Sequence, residues 1–176
     1  MSFIFKSTGV AIKFLEKILK SDISTRNLEN IPEGPVLFVA NHFTRSETFI
    51  LPYILHKFAD RHLRSLAGKT IFESPLGNYL ESLGTISTGD PQRNNKILRD
   101  LITGRNDWLI YPEGTMVKNK YITNNKLFHL NTPKHKRNIY TGSAVLALQT
   151  ELLKKEFLIA HEEKDHKKLA DLRSEL

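Results

Sequence analysis

Short apolar runs alternate along the chain with polar turns and amphipathic stretches. Residues 36–40 form a continuous apolar run directly after a turn cluster rich in proline and glycine, and such a run is typical of a buried parallel strand. Further strands are predicted at residues 62–68, 84–88 and 108–111. Strands that alternate with helices predict an α/β fold, a single domain with a largely parallel mixed sheet flanked by helices.

Helices are predicted between these strands and at both ends of the chain. Apolar side chains recur at roughly helical spacing in residues 2–20 and are interleaved with lysines, which indicates an N-terminal amphipathic helix. Residues 151–176 lack glycine and proline and are dense in charge, so a charged C-terminal helix is predicted there. The basic stretch at residues 118–138 has weak periodicity, and no element is predicted in it. The remaining helices are predicted after the polar turn at residues 41–46 and at residues 75–83, 94–103 and 141–149.

These elements divide the 176-residue chain into three parts. Residues 1–26 form the N-terminal amphipathic helix, residues 27–150 form the core, and residues 151–176 form the charged helical tail. The tail is a candidate truncation point.

Composition narrows the classes of function. Hydrophobic residues make up 40% of the chain, which is enough for a core. The absence of cysteine excludes a disulfide framework, a thiol nucleophile and a cysteine-based zinc site. A formal net charge of +7 favours anionic partners such as nucleic acid, an anionic membrane or phosphorylated small molecules. Because no apolar run approaches the ~18 residues of a membrane span and no signal-peptide cleavage site is evident, we expect a protein that is not exported.

A histidine and a carboxylate follow the first predicted strand five residues apart. His42 comes just after residues 36–40, and Glu47 follows it. Five positions on a helix turn the side chain by about 140°, so the two cannot share a helix face. They can meet across a turn, with Glu47 at the start of a helix whose dipole favours a carboxylate. Such a pair can act as general base and orienting carboxylate; a surface histidine beside a helix-initiating glutamate is the alternative.

A second polar turn, Tyr111-Pro-Glu-Gly-Thr115, follows the last predicted strand. A tight turn here would gather backbone N–H groups and the Thr115 hydroxyl into a concavity that suits an anion. An ordinary strand-ending turn is the alternative. Both turns follow apolar strands, where open α/β sheets place their ligand crevice.

Together the two blocks resemble those of the phospholipid/glycerol acyltransferase family, of the lysophosphatidic acid acyltransferase type. In that family the first block is Asn-His followed by four residues and then Asp. A later block is Phe-Pro-Glu-Gly-Thr-Arg. This chain has Asn41-His-Phe-Thr-Arg-Ser-Glu47 and Tyr111-Pro-Glu-Gly-Thr-Met116. The two blocks in this order and at this separation are a specific signal, whereas either alone is not. The resemblance covers residues 27–149 and extends through Ala67-Gly-Lys69, Pro75-Leu-Gly77, Leu83-Gly-Thr-Ile86 and the helix at residues 140–147.

The resemblance implies a role for each matching residue. His42 would be the general base and Glu47 its orienting carboxylate. The implied substrate-binding residues are Asn41, Arg93, Glu113, Gly114 and Thr115, among which Arg93 would hold the acceptor phosphate.

The chain also departs from the family pattern. Glu47 replaces the aspartate of the first block, and Met116 replaces the arginine of the later one. Asp90 lies near the expected phosphate-binding arginine, which makes Arg93 the nearest substitute. The last family block, an apolar strand with a Pro-Val pair, has no match, as in a truncated or divergent member.

The implied reaction moves a fatty acyl group from acyl-CoA or acyl carrier protein to the hydroxyl of a lysophospholipid such as 1-acylglycerol-3-phosphate, in phospholipid biosynthesis. The expected partners are this acceptor, the thioester donor as co-substrate and a membrane surface, at whose cytoplasmic face the chain would act as a peripheral protein. No other cofactor is expected. No metal is assigned, because His129 with His135 and His161 with His166 lack metal-ligand spacing.

Two alternatives remain from the sequence. One is a catalytically inactive or truncated lipid-binding member of the same fold, which the departures from the pattern support. The other is a basic nucleic-acid-binding protein, which only the charge supports, since no nucleic-acid-binding motif is present.

Overall fold

The computed structural model describes residues 3–42, 44, 46–114, 120–122, 128–131, 136–138 and 140–176, with the backbone alone for residues 3–8, 15, 120–122, 128–131 and 136–138. The helices are α1 (Phe3–Leu19), α2 (Glu47–Ala59), α3 (Lys69–Phe72), α4 (Gly77–Ser82), α5 (Arg93–Thr103), α6 (Gly142–Glu162) and α7 (His166–Glu175), with a 3-10 turn at Leu28–Asn30. The strands are β1 (Leu37–Val39), β2 (Leu63–Ala67), β3 (Ile86–Ser87), β4 (Asp107–Ile110), β5 (Lys120–Ile122), β6 (Phe128–Asn131) and β7 (Lys136–Asn138).

Strands β1 to β4 form a parallel sheet in which the fourth strand of the sequence lies between the first and the second. The order is β1-β4-β2-β3, with Val39 paired with Ile110 and Ser65 paired with Leu109. β4 is buried along its whole length. Because the four strands are parallel, their carboxyl ends lie at one edge of the sheet, where α/β sheets form their ligand sites.

Side chains of β4 alternate between two apolar clusters on opposite faces of the sheet. Trp108 and Ile110 belong to one cluster, which is completed by residues of α5 and α6. Leu109 belongs to the other cluster, with Leu55 of α2. This alternation follows from the two-residue period of a strand. It places α5 and α6 on one face of the sheet and α2 on the other.

A buried carboxylate ties α5 to two neighbouring strands. The Oδ2 atom of Asp100 accepts hydrogen bonds from Trp108 Nε1 at 3.1 Å and from Arg64 Nη1 at 3.0 Å. The Arg64 guanidinium also lies over the Trp108 ring, 5.2 Å from its centroid. Burying a carboxylate is costly unless it is paired, so these contacts determine how α5 packs on β2 and β4.

The predicted α/β fold with parallel strands and flanking helices is confirmed. All the neighbouring strands in the four-stranded sheet pair in parallel. Among the described residues, antiparallel pairing belongs to the separate sheet of β5 to β7. α6 runs without interruption through residue 150, and α7 begins after a turn in which the Asp165 carboxylate accepts a hydrogen bond from Lys168 N at 2.9 Å.

The weak periodicity of residues 118–138 gives no basis for assigning an element, and the structure places three short strands in this stretch. β5, β6 and β7 pair there in that order, with Tyr121 opposite His129 and Leu130 opposite Arg137. Each of these strands has three or four residues. Alternation becomes recognisable only over about 4–8 residues, so strands this short leave little signal.

The N-terminal helix packs on α2 and leaves an apolar stripe exposed. A Cβ atom added at Gly9 would lie 2.9 Å from the Tyr53 ring, so the close approach of the two helices depends on this glycine. Ile12 is buried, whereas Val10, Phe14 and Ile18 are 59–69% exposed. In the part of the chain that the structure describes, no helix is both long enough and apolar enough to cross a membrane.

Replacing Asp100 with alanine tests the role of the buried carboxylate. The change leaves the Trp108 indole N–H and the Arg64 guanidinium without their acceptor, so we expect the free energy of unfolding to fall by about 2–3 kcal/mol in urea denaturation. The matched control is the exposed Asp22→Ala, which should change it by less than about 0.5 kcal/mol. Equal changes in the free energy of unfolding for Asp100→Ala and Asp22→Ala would show that the buried carboxylate does not stabilise the packing of α5.

Candidate active site

The candidate site lies where two neighbouring strands end. β1 and β4 pair side by side, and the Ala40 N–H extends the pairing by donating to the Ile110 carbonyl at 3.1 Å. The turn that carries His42 and the turn that carries Glu113 therefore emerge next to each other, separated by one strand spacing of about 4.8 Å.

His42 and Glu47 meet across the turn between β1 and α2, as the sequence predicts. Nδ1 of His42 lies 2.8 Å from Oε1 of Glu47, and the two side chains are 19% and 18% exposed. Glu47 is the first residue of α2, and its Oε2 accepts a hydrogen bond from the Thr44 N–H at 3.1 Å. An ionised carboxylate only accepts hydrogen bonds. With Glu47 ionised, His42 Nδ1 is the donor in this hydrogen bond, and Nε2 is the ring nitrogen that remains to act as a base.

Tyr111 supports this pair from β4. Its ring centroid lies 4.7 Å from that of His42, and its hydroxyl donates to the Glu47 carbonyl at 3.3 Å. Burial, and secondarily the Glu47 charge, raise the pKa of Tyr111 above its ordinary value. The phenol therefore stays neutral and remains a hydrogen-bond donor. No role for Tyr111 is predicted from the sequence, although an aromatic residue at the start of the second block is the signal that could have indicated one.

Glu113 connects the two turns. It is 1% exposed, and its Oε2 accepts a hydrogen bond from the His42 N–H at 2.8 Å, although the two residues are 71 positions apart. Gly114 follows with a left-handed φ of 60°, a conformation that costs glycine little, and its N–H donates to the Tyr111 carbonyl at 2.9 Å. A carboxylate this deeply buried offers almost no surface to a ligand. The hydrogen bond to the His42 N–H holds the backbone that carries the histidine, and the predicted role of Glu113 in substrate binding stays a prediction.

The other predicted binding residues lie at varying distances from this pair. Asn41 is exposed beside His42, and Thr115 lies outside the described residues. Arg93 begins α5, and its guanidinium donates to the Thr88 carbonyl. β3, which precedes it, lies three strand positions from β1, or about 14 Å across the sheet. Arg93 therefore follows a strand that ends at the same edge, away from the His42 pair.

Asp90, which occupies the place expected for an arginine, organises the turn before α5. Its Oδ2 lies 2.6 Å from Lys96 Nζ, and its Oδ1 accepts from the Gln92 N–H at 2.8 Å. The hydrogen bond from Lys96 is the main cause of the lowered pKa of the Asp90 carboxyl. Lys96 compensates the negative charge of Asp90, so the carboxylate does not by itself make this edge repulsive to an anion.

A shallow apolar depression opens beside the first turn of α2. Its enclosed volume is about 20 Å³, close to the space of one water molecule. Thr48, Phe49 and Pro52 of α2 form one side, and Leu80 and Leu83 form another. Ser65 and Thr85 also line the depression, and their hydroxyl oxygens lie 3.1 Å apart in a buried hydrogen bond.

Comparison with known families agrees with the geometry of the two turns. Residues 22–156 match the model of the family described as Acyltransferase. Because this match covers most of the chain, the protein belongs to that family, the glycerophospholipid acyltransferases, whose members transfer acyl groups in glycerolipid synthesis. No curated protein and no solved structure matches the chain.

The burial of Glu113 generates a prediction about its role. In Glu113→Ala the His42 N–H loses its acceptor, so we expect the free energy of unfolding to fall by about 1–3 kcal/mol, measured by urea denaturation. Glu113→Gln keeps a carbonyl oxygen at that position and should recover most of the loss. The exposed Glu29→Ala is the control. Unchanged stability in Glu113→Ala, together with a raised KM for a lysophospholipid, would instead indicate direct contact with the acceptor.

Proposed function

We propose that the protein transfers a fatty acyl group from acyl-CoA or acyl carrier protein to the free hydroxyl of a lysophospholipid such as 1-acylglycerol-3-phosphate. The observation that carries the proposal is the contact between His42 Nδ1 and Glu47 Oε1 at 2.8 Å, at the carboxyl edge of the parallel sheet. Family membership supports acyl transfer in general. The particular donor and acceptor are our proposal.

The proposed step needs one base. His42 Nε2 removes the proton from the acceptor hydroxyl while the hydroxyl oxygen attacks the thioester carbonyl carbon. The new carbon–oxygen bond forms, the carbon–sulfur bond breaks, and the proton passes from the imidazolium to the departing thiolate. Glu47 stabilises the imidazolium while it carries that proton. The reaction needs no covalent acyl-enzyme, because the described part of the site pairs the base with a carboxylate rather than with a nucleophile.

Basic residues at the same edge suit the acceptor phosphate. Arg93 carries the phosphate-binding role in this proposal, because its guanidinium can donate two parallel hydrogen bonds to phosphate oxygens, which a lysine cannot do. Lys69 lies against the turn that precedes Arg93. A Cβ atom added at Gly89, in that turn, would lie 3.3 Å from the Cδ atom of Lys69. Its ion pair with Glu73 spans 3.9 Å between largely exposed groups, and such pairs contribute little. Lys69 is therefore available to turn toward a phosphate.

The depression beside α2 suits the apolar end of a substrate. It begins one residue after Glu47, and most of its lining is apolar. An acyl chain placed there would lie against the first turn of α2, the turn that begins with Glu47. With an enclosed volume of about 20 Å³, the depression must widen to admit a chain. That widening would involve the side chains of α2 and α4.

The decisive experiment compares lysophospholipid-dependent thioester consumption in the wild type and in His42→Ala. Removing the base should lower the transfer rate by about 10²–10⁴-fold, the usual contribution of general-base catalysis. The exposed His161→Ala is the matched control and should retain the full rate. Full turnover in His42→Ala would refute the mechanism. Absence of lysophospholipid-dependent turnover in the wild type would favour an inactive lipid-binding member.

The position of Arg93 generates a prediction about substrate affinity. Arg93→Ala should raise the KM for the lysophospholipid phosphate ester several-fold while changing the KM for the acyl donor little, because only the acceptor phosphate would contact it. Arg99→Ala, an exposed arginine on the same helix, should change neither. An equal change in the KM values for both substrates would indicate that Arg93 does not contact the acceptor phosphate.

We also propose that the protein docks peripherally on the cytoplasmic face of a membrane through α1. Val10, Phe14 and Ile18 recur four residues apart and are 59–69% exposed, so they form one stripe along the helix. Lys13 and Lys17 flank this stripe and are exposed. An amphipathic helix with such a pattern suits the interface of an anionic bilayer, where each lysine contributes about 1 kcal/mol.

Vesicle co-sedimentation tests the docking surface. Replacing Val10, Phe14 and Ile18 together with serine should move the protein from the pellet to the supernatant on vesicles that contain anionic lipid. The matched control replaces Val145, Leu148 and Leu152, which are 47–67% exposed on α6, and should leave pelleting unchanged. If the α6 variant lost binding and the α1 variant kept it, the docking surface would lie on α6 instead.

A further inference from the structure

Three side chains with metal-ligand chemistry meet at the carboxyl end of α2. His56, Asp60 and His62 each offer one ligand atom within 4.8 Å of the other two. His56 and Asp60 are four positions apart and therefore share one face of the last helical turn. The rings of His56 and His62 lie 5.1 Å apart between centroids, at an angle of 43°. Two imidazoles and a carboxylate thus converge on one point.

The backbone at Asp60 makes this convergence possible. Asp60 caps α2 with a left-handed conformation, φ 49° and ψ 38°, which few residues other than glycine, asparagine and aspartate adopt readily. The next N–H, that of Arg61, donates back to the Leu55 carbonyl at 3.1 Å. The chain therefore reverses at Asp60, and His62 returns beside His56 instead of continuing along the helix axis.

The neighbouring cations are occupied by other contacts. Arg61 donates to the Gly34 carbonyl at 2.6 Å and lies 3.6 Å from the Asp107 carboxylate. Lys57 Nζ lies over the Phe58 ring, 4.5 Å from its centroid. Since the Arg61 charge is compensated by Asp107 and Lys57 rests on an aromatic face, neither needs to pair with Asp60. The carboxylate of Asp60 can then serve a metal cation.

We propose that His56, Asp60 and His62 form a binding site for a divalent transition-metal ion, best suited to zinc. Two neutral imidazoles and one carboxylate are ligands that zinc prefers, and cobalt and nickel accept them as well. Magnesium and calcium favour oxygen ligands and should bind poorly. Zinc bonds of about 2.0–2.2 Å bring tetrahedral ligands to about 3.4 Å from one another. Asp60 and His62 are exposed, so they can close onto the half-buried His56.

The ion has a structural role in this proposal. The site precedes β2, at the amino edge of the sheet, whereas Glu47 lies at the other end of α2. The 13 residues of the helix span about 20 Å, so the metal is remote from the proposed base. It would link the end of α2 to the start of β2 and stabilise the folded chain, because it binds the folded state in preference to the unfolded one.

Zinc titration of the tag-free, chelator-treated full-length chain tests the site. Isothermal calorimetry with zinc alone should detect binding, and zinc should raise the melting temperature where magnesium does not. Asp60→Asn and His62→Gln should each weaken zinc binding by at least about tenfold and remove the rise in melting temperature. Asparagine tolerates the left-handed conformation as aspartate does, so a loss of binding in Asp60→Asn reports the missing carboxylate rather than a broken turn.

Two control variants separate this site from other histidines. His161→Gln removes an exposed histidine of α6, and His42→Ala removes the proposed base; both should bind zinc as the wild type does. The proposal is overturned if the wild type does not bind zinc, or if Asp60→Asn and His62→Gln bind it with unchanged affinity. Loss of binding in His42→Ala would overturn it too, because the ion would then occupy the candidate active site.

Discussion

The hydrogen bond between the His42 N–H and the buried Glu113 carboxylate is the contact on which the candidate site depends. It joins the turns that follow β1 and β4, which are remote in sequence and adjacent in the sheet. A carboxylate with 1% exposure must be paired, and the His42 backbone supplies one partner. Because this hydrogen bond fixes the backbone of His42, the ring can contact both Tyr111 and Glu47. The position of the ring thus depends on the sheet as well as on its own turn.

The local parts of this arrangement could be predicted from the sequence. The apolar runs of β1 and β4 and the turn between His42 and Glu47 depend on neighbouring residues, so periodicity and turn chemistry suffice to find them. The insertion of β4 between β1 and β2 is a long-range pairing that no local pattern records. For the same reason the sequence gives no sign that Glu113 accepts a hydrogen bond from a backbone N–H 71 positions away.

The spacing of His56, Asp60 and His62 shows a second limit of sequence reasoning. The pair of residues four apart could have been recognised as sharing a helix face. The approach of His62 depends on the left-handed Asp60, which a sequence does not reveal. Both ends of α2 consequently carry residues with a proposed function. Its first residue orients the proposed base, its last turn carries the proposed zinc ligands, and between them Tyr53 packs on Gly9 of the helix proposed to meet the membrane.

A double-mutant cycle on His42 and Glu47 tests most directly whether the carboxylate acts through the histidine. It compares the rate of acyl-CoA consumption with 1-acylglycerol-3-phosphate in the wild type, His42→Ala, Glu47→Gln and the double variant. If Glu47 acts only through His42, its replacement slows the wild type and has no further effect once His42 is alanine. The double variant should then be as fast as His42→Ala alone. Rate reductions that multiply in the double variant would contradict a role of Glu47 through His42, because the two side chains would then act independently.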